Sequence, residues 1–144
     1  KMSEFNAALG LGQLRHLDRV RSARRNLDAL YRKLLTPVRG ISCIEPRQQV
    51  ERNYAYFPIL VEQDFNQTRD ELYEHLKYED IYARRYFYPL ISAFPMYRDL
   101  PSSDPSNLPV ATDISQRIIC LPLYPDLSEA DVVKICNVIS DLGQ

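Results

Sequence analysis

The sequence predicts an α+β domain with a long N-terminal helix, then three or four mostly antiparallel strands with helices against one face. Three observations point there. Apolar residues recur at helical spacing from Leu9 to Leu35. Short runs rich in β-branched and aromatic residues follow at Ile41, Asn53–Glu62, Ile81 and Ile118. Helical patterns separate the later runs and close the chain. At 144 residues, the chain suits a single domain over 1–144 with a real core, and no repeat divides it.

The elements follow in order. Ser3 is a candidate N-cap, because its hydroxyl can accept from an orphan amide. Positions 10, 13, 17, 20, 24, 27, 31 and 34 then form one helical line, with Leu17, Val20, Leu27, Tyr31 and Leu34 as its large apolar members. The helix should stop before Pro37, at about 33 residues, which is long for a globular domain. Gly10 and Gly12 weaken its interior, so a bend or a close backbone approach is expected there. Ile41 opens a short strand that ends at Pro46, after a turn at Arg39–Gly40. "NYAYFPILVE" is the clearest strand, although Pro58 argues for an edge position or a bulge. Asn66 is a candidate cap for a helix carrying Leu72, Tyr73 and Leu76. "IYARRYFY" reads as a strand closed by Pro89, and residues 98–107 as a loop. A short helix near Leu108–Gln116 leads into the strand "RIICLPLY". Ser128 and Asp131 start the last helix, which Gly143 stops.

Composition excludes several classes. Net charge is −1, with 45% apolar and 26% charged residues, so no global field draws the chain to nucleic acid or membrane. No apolar run approaches the ~20 residues of a membrane span. Cys43, Cys120 and Cys136 are odd in number and widely spaced. They indicate small core residues in a reducing, cytoplasmic setting rather than a metal site or a disulfide framework. His16 and His75 sit amid charged residues and read as surface histidines. No complete catalytic constellation occurs.

Two stretches could carry binding chemistry. The first helix is basic at Arg15, Arg19, Arg21, Arg24, Arg25, Arg32 and Lys33 against Asp18 and Asp28. Such a helix either tracks phosphates or is a solvated face. The second is "DIYARRYFYPLISAFPMYRDL". On a strand, Arg84, Tyr86 and Tyr88 would share one face, and Ala83, Arg85 and Phe87 the other. An arginine fork suits phosphate or carboxylate, and tyrosine adds stacking with a hydroxyl handle. An amphipathic strand with snorkelling arginines fits the same pattern.

Three separated motifs then agree with one family. "KMSEFNAALGLGQLRHLDRVRSARRNL" resembles the start of the C-terminal region of the DegT/DnrJ/EryC1/StrS aminotransferases through Lys1, Met2, Ser3, Glu4, Ala7, Ala8, Gly10, Gln13 and Leu14. "IYARRYFYPL" followed by "PMY", and "LPVATDISQRIICLPLYPDLSEADVVKICNVI", are similar to that family's later segments. The resemblance implies a C-terminal small domain of a homodimeric, fold type I, pyridoxal 5'-phosphate (PLP) enzyme that aminates keto groups on nucleotide-activated sugars. The chain would then be a fragment that self-associates and lacks the PLP-binding N-terminal domain. No catalytic residue is expected here, since none of Lys1, Lys33, Lys77 and Lys134 lies in the family's Schiff-base setting, so no covalently held PLP is expected. Arg84, Tyr86 and Tyr88 match a substrate lid over the nucleotide-sugar. Lys1 and Ser3 adjoin the position that reaches the partner subunit's cofactor phosphate. Two positions depart from the pattern: Ile91 replaces a frequent histidine, and Asp80 replaces a glycine at the turn before the lid. Asp tolerates the left-handed region, so that turn should survive. Two other readings are a stand-alone binding or regulatory module that uses the basic helix, and a non-catalytic PLP-fold sensor.

Overall fold

The computed structural model describes residues 2–46 and 49–143. The first helix is two helices. α1 (Glu4–Arg15) and α2 (Leu17–Leu35) are separated at His16, whose φ of −107° and ψ of 1° leave the helical region. The interruption therefore lies after the glycines, not at them, and open space surrounds both Gly10 and Gly12. Ser3 caps α1 by accepting from the Asn6 N–H at 3.3 Å. α1 buries none of its residues, and Phe5, Leu9, Leu11 and Leu14 are exposed along it. α2 is the amphipathic element: Leu27, Tyr31 and Leu35 are buried along one stripe.

A three-stranded antiparallel sheet follows, ordered β1 (Ile41–Cys43), β2 (Phe57–Val61), β3 (Ile118–Leu121). Pro58 lies on the central strand, contrary to the expected edge. The β1 ladder ends at the Cys43–Ile59 pair, so at Pro58 only β3 is paired, through Cys120. The strand is locally an edge where proline's missing N–H matters. Alternation divides the sheet. Phe57, Ile59, Val61, Ile119 and Leu121 join the core with the helices α2, α3 (Arg69–Tyr78) and α5 (Glu129–Leu142). Pro58, Ile118 and Cys120 face the other side, where they line a hollow.

α3 begins two residues later than Asn66 suggests. Thr68 is its cap, and Glu71 completes a capping box with two backbone and side-chain bonds to Thr68. Asp80 holds φ of 59°, so the turn expected of it is kept. The stretch "IYARRYFY" is not a strand. It makes one bridge, Arg84 to Cys120, and then turns at Tyr86–Phe87, with Phe87 at φ 47°. One left-handed residue ends strand geometry whatever the β propensity of its neighbours. Residues 91–107 form three short 3-10 turns, and α4 (Pro109–Arg117) leads into β3. Gly143 ends α5 as expected, in right-handed geometry with φ of −86°.

Phe65 gives two glycines their reason. A Cβ on Gly143 would meet Phe65 Cε2 at 3.0 Å, and one on Gly40 would meet the Phe65 backbone N at 2.4 Å. Gly40 also holds φ of +74°. Gly40→Ala is expected to cost about 1–3 kcal/mol through strain and overpacking, read as a lowered urea midpoint with an unchanged slope. No helix among the described residues is long and apolar enough to cross a membrane.

Candidate functional site

This second sheet face is the floor of a cleft. Arg84 is fixed at its edge by two backbone bonds with Cys120: the Arg84 N–H donates to the Cys120 carbonyl at 2.9 Å, and the Cys120 N–H donates back at 2.8 Å. This pairing puts Ala83 into the core and Arg84 on the cleft side. Tyr86 lies edge-on to Tyr56, with ring centroids 5.3 Å apart. Two adjoining hollows result. One, of about 420 Å³, is lined by Arg24, Tyr56, Tyr82, Arg84 and Tyr124. The other, of about 580 Å³, is lined by Tyr54, Tyr56, Pro58, Tyr86, Ile118 and Cys120.

The opposite wall, Tyr54 to Tyr56, is irregular backbone held from several sides. Tyr54 adopts φ of 50°, and the Asn53 side-chain oxygen accepts from the Ala55 N–H at 3.1 Å. Arg52 lies over the Tyr54 ring at 4.9 Å and pairs with the buried Asp28 carboxylate at 3.0 Å. Asp28 also accepts from Arg32 Nε at 2.7 Å. The Arg52 contact is an ion pair whose angle falls outside hydrogen-bond geometry, leaving Asp28 Oδ1 unbonded in that stricter sense. Arg21 adds a contact to Glu51. Two α2 side chains thus clip the cleft wall to the core.

Of the three residues expected to share a face, the structure brings Arg84 and Tyr86 together and separates Tyr88. The turn at Phe87 sends Tyr88 to the other side, under the Arg69 guanidinium at 4.5 Å and near Arg85 at 5.2 Å. Arg69 itself is buried, donating to the Ser115 and Ile118 carbonyls at 2.9 and 3.0 Å. Ser3 lines neither hollow, and Lys1 lies outside the described residues. Ile91 is exposed at the start of a 3-10 turn. The basic stripe is divided. Arg21 and Arg32 are paired with carboxylates, and Arg24 belongs to the cleft.

Sequence reasoning missed Arg24, Tyr56 and the Asp28 clip as parts of this site. For the Asp28 clip alone a signal was available: Asp28 and Arg32 at four-residue spacing put an acid and a base on one helix face. Among the described residues no group of three His, Cys, Asp or Glu could hold a metal.

Burial dominates the titration of the core groups. It raises the Cys120 thiol to about 11, with Arg84 opposing, and the Cys136 thiol to about 12, reinforced by Cys43. Burial also pushes the Tyr31 phenol up. Each group is raised in the folded state, so its contribution is whole below its unfolded value, 9.0 for the thiols, and is lost as pH climbs through the folded one. Urea midpoints are expected to hold steady up to about pH 9 and to fall between pH 9 and 12, with Cys136→Ala flattening the decline.

Comparisons with known proteins agree on one assignment. The family model described as the DegT/DnrJ/EryC1/StrS aminotransferase family matches residues 1–140. The chain is 48% identical over 139 residues to dTDP-4-amino-4,6-dideoxy-D-glucose transaminase of Escherichia coli, covering 96% of this chain and 38% of that protein. A crystal structure of a DegT DnrJ EryC1 StrS aminotransferase from Brucella abortus superposes with a TM-score of 0.82 at 27% identity, over 99% of this chain and 36% of that one. The PLP-form structure of Spr1654 from Streptococcus pneumoniae has a TM-score of 0.87 at 22% identity, over 99% and 36% respectively, which speaks to fold alone. The chain therefore spans between a third and two fifths of the length of these relatives. Its matched motifs, its fold and its sequence place it in the DegT/DnrJ/EryC1/StrS aminotransferase family.

Proposed function

We propose that the chain is the C-terminal small domain of a fold type I, PLP-dependent aminotransferase, and that it forms part of the lid over a nucleotide-linked keto-sugar. The observation that carries this is the 48% identity over 96% of the chain to a dTDP-sugar transaminase. The geometry supports it: Arg84 and Tyr86 flank a concave face, one with a guanidinium fork for an oxyanion, the other with an aromatic edge for a ring. Tyr88 acts indirectly, packing on Arg69 and Arg85 behind the lid turn. Ser3 and the exposed α1 belong to the homodimer interface near the partner's cofactor phosphate, a role also assigned to Lys1, which lies outside the described residues. The reaction is assigned to the cytoplasm.

Among the described residues no lysine fits covalent attachment of PLP. Lys33, Lys77 and Lys134 are exposed on α2, α3 and α5, and none lines either hollow beside Arg84. No catalytic step is assigned to this chain. Its own residues bind and orient the sugar and exclude water from it.

A chimera tests the reading. This chain replaces the matching region of the E. coli transaminase, and sugar amination is assayed with PLP. Amination at a substantial fraction of the parent rate is expected. Arg84→Ala in the chimera should lower kcat/KM for the sugar about 10–100-fold, the value of a charge-assisted bond. A folded, PLP-loaded dimer without amination would overturn the proposal.

A further inference from the structure

Arg24 is an arginine without an evident reason. It lies on α2 one turn before the Asp28 clip, half-buried, with its Nε shielded from water and bonded to nothing among the described residues. Buried donors are almost always satisfied, so an orphaned one calls for an explanation. Among the described residues neither Arg24 nor Arg84 makes an ion pair, although eight other arginines do. Yet both line the same hollow of about 420 Å³. Two guanidinium groups in one concavity repel, and a hollow with low-dielectric walls focuses their field. On the same helix Arg21 and Arg32 have carboxylates, while Arg19 and Arg25, unpaired among the described residues, are exposed to water as Arg24 is not. Tyr56, Tyr82 and Tyr124 share the lining and offer hydroxyls and ring faces. The back wall is firm, because the buried Tyr31 hydroxyl donates to the Pro122 carbonyl at 2.9 Å, and Pro122 lines the hollow.

We infer that Arg24 and Arg84 form a two-arginine clamp for a multiply charged oxyanion, with Arg24 as a binding residue that the Arg84 lid alone does not supply. This deepens the proposed function and rests on it. Within that reading the oxyanion has two sources, the diphosphate of the nucleotide-sugar or the carboxylates of an amino donor. Both present oxygens that a guanidinium fork matches.

The 144-residue chain itself is the material for the test. Isothermal titration at low salt uses inorganic pyrophosphate in one arm and glutarate in the other, with wild type, Arg24→Gln, Arg24→Lys, Arg84→Gln and Arg19→Gln. Circular dichroism melts confirm that each variant is folded. The clamp predicts that Arg24→Gln and Arg84→Gln each weaken the preferred anion at least 10-fold. Arg24→Lys should recover only part, and Arg19→Gln should change binding less than 2-fold. Preference for pyrophosphate assigns the diphosphate, and preference for glutarate the donor carboxylates. Either supports the clamp. Loss in Arg84→Gln with full binding in Arg24→Gln overturns the clamp and leaves the Arg84 lid standing. Equal loss in Arg19→Gln and Arg24→Gln reduces the effect to diffuse helix charge and overturns it too. No binding of either anion by folded wild type overturns the clamp, while the chimera's amination still decides the proposed function separately.

Discussion

Asp28→Ala should destabilise the chain by about 3–5 kcal/mol, the cost of breaking a buried ion pair from one side. The carboxylate is nearly inaccessible and faces Arg32 from α2 and Arg52 from the cleft wall. Both arginine side chains are themselves largely buried, at 21% and 24% exposure, so neither is fully rehydrated when the acid goes. The loss should exceed that for exposed pairs such as Arg39–Asp64, for which about 0–1 kcal/mol is the rule. Denaturant melts give the magnitude. A second effect separates this from generic damage. The segment carrying Tyr54 and Tyr56 loses its tie to α2, so chemical shifts of those two rings should move while those of α5 stay in place. Replacing Asp28, Arg32 and Arg52 together by apolar residues should recover much of the stability, since the unpaired charges vanish with the pair.

Tyr31→Ala is expected to cost about 3–5 kcal/mol, the range for emptying a large aromatic site in a core. Tyr31 is fully buried and stacks on Phe57, with centroids 4.7 Å apart and planes 22° apart. Tyr31→Phe isolates the hydroxyl. It should cost about 0.5–1.5 kcal/mol, because only the bond to the Pro122 carbonyl is lost. Comparing the two by urea melts divides packing from hydrogen bonding. Equal losses in both variants would show that the stack contributes nothing.

The elements legible in the sequence were those whose signals are local. The stripe of Leu27, Tyr31 and Leu35 marks α2, Ser128 and Asp131 mark the start of α5, and Asp80 marks a left-handed turn. Where tertiary context decided, local reading failed. Nothing in "IYARRYFY" shows that Phe87 will take a positive φ, because the residue has strong β propensity and its backbone is set by what surrounds the turn. The central position of Pro58 depends on where β1 stops, a fact about another strand. Asn66 and Thr68 are both good caps, and Glu71 three residues after Thr68 was the signal that should have chosen between them. In the cleft, Arg84 and Tyr86 were readable from parity along the chain. Arg24 and Tyr56 were not, because folding brings them there from distant segments.

The bareness of α1 has a thermodynamic consequence. Its 12 residues bury nothing, and that length is marginal for a helix standing alone in water. In a single copy the order of Glu4–Arg15 and the order of the sheet are therefore two equilibria rather than one. The helix can melt and re-form many times within the lifetime of the folded core, and global unfolding measures the core alone.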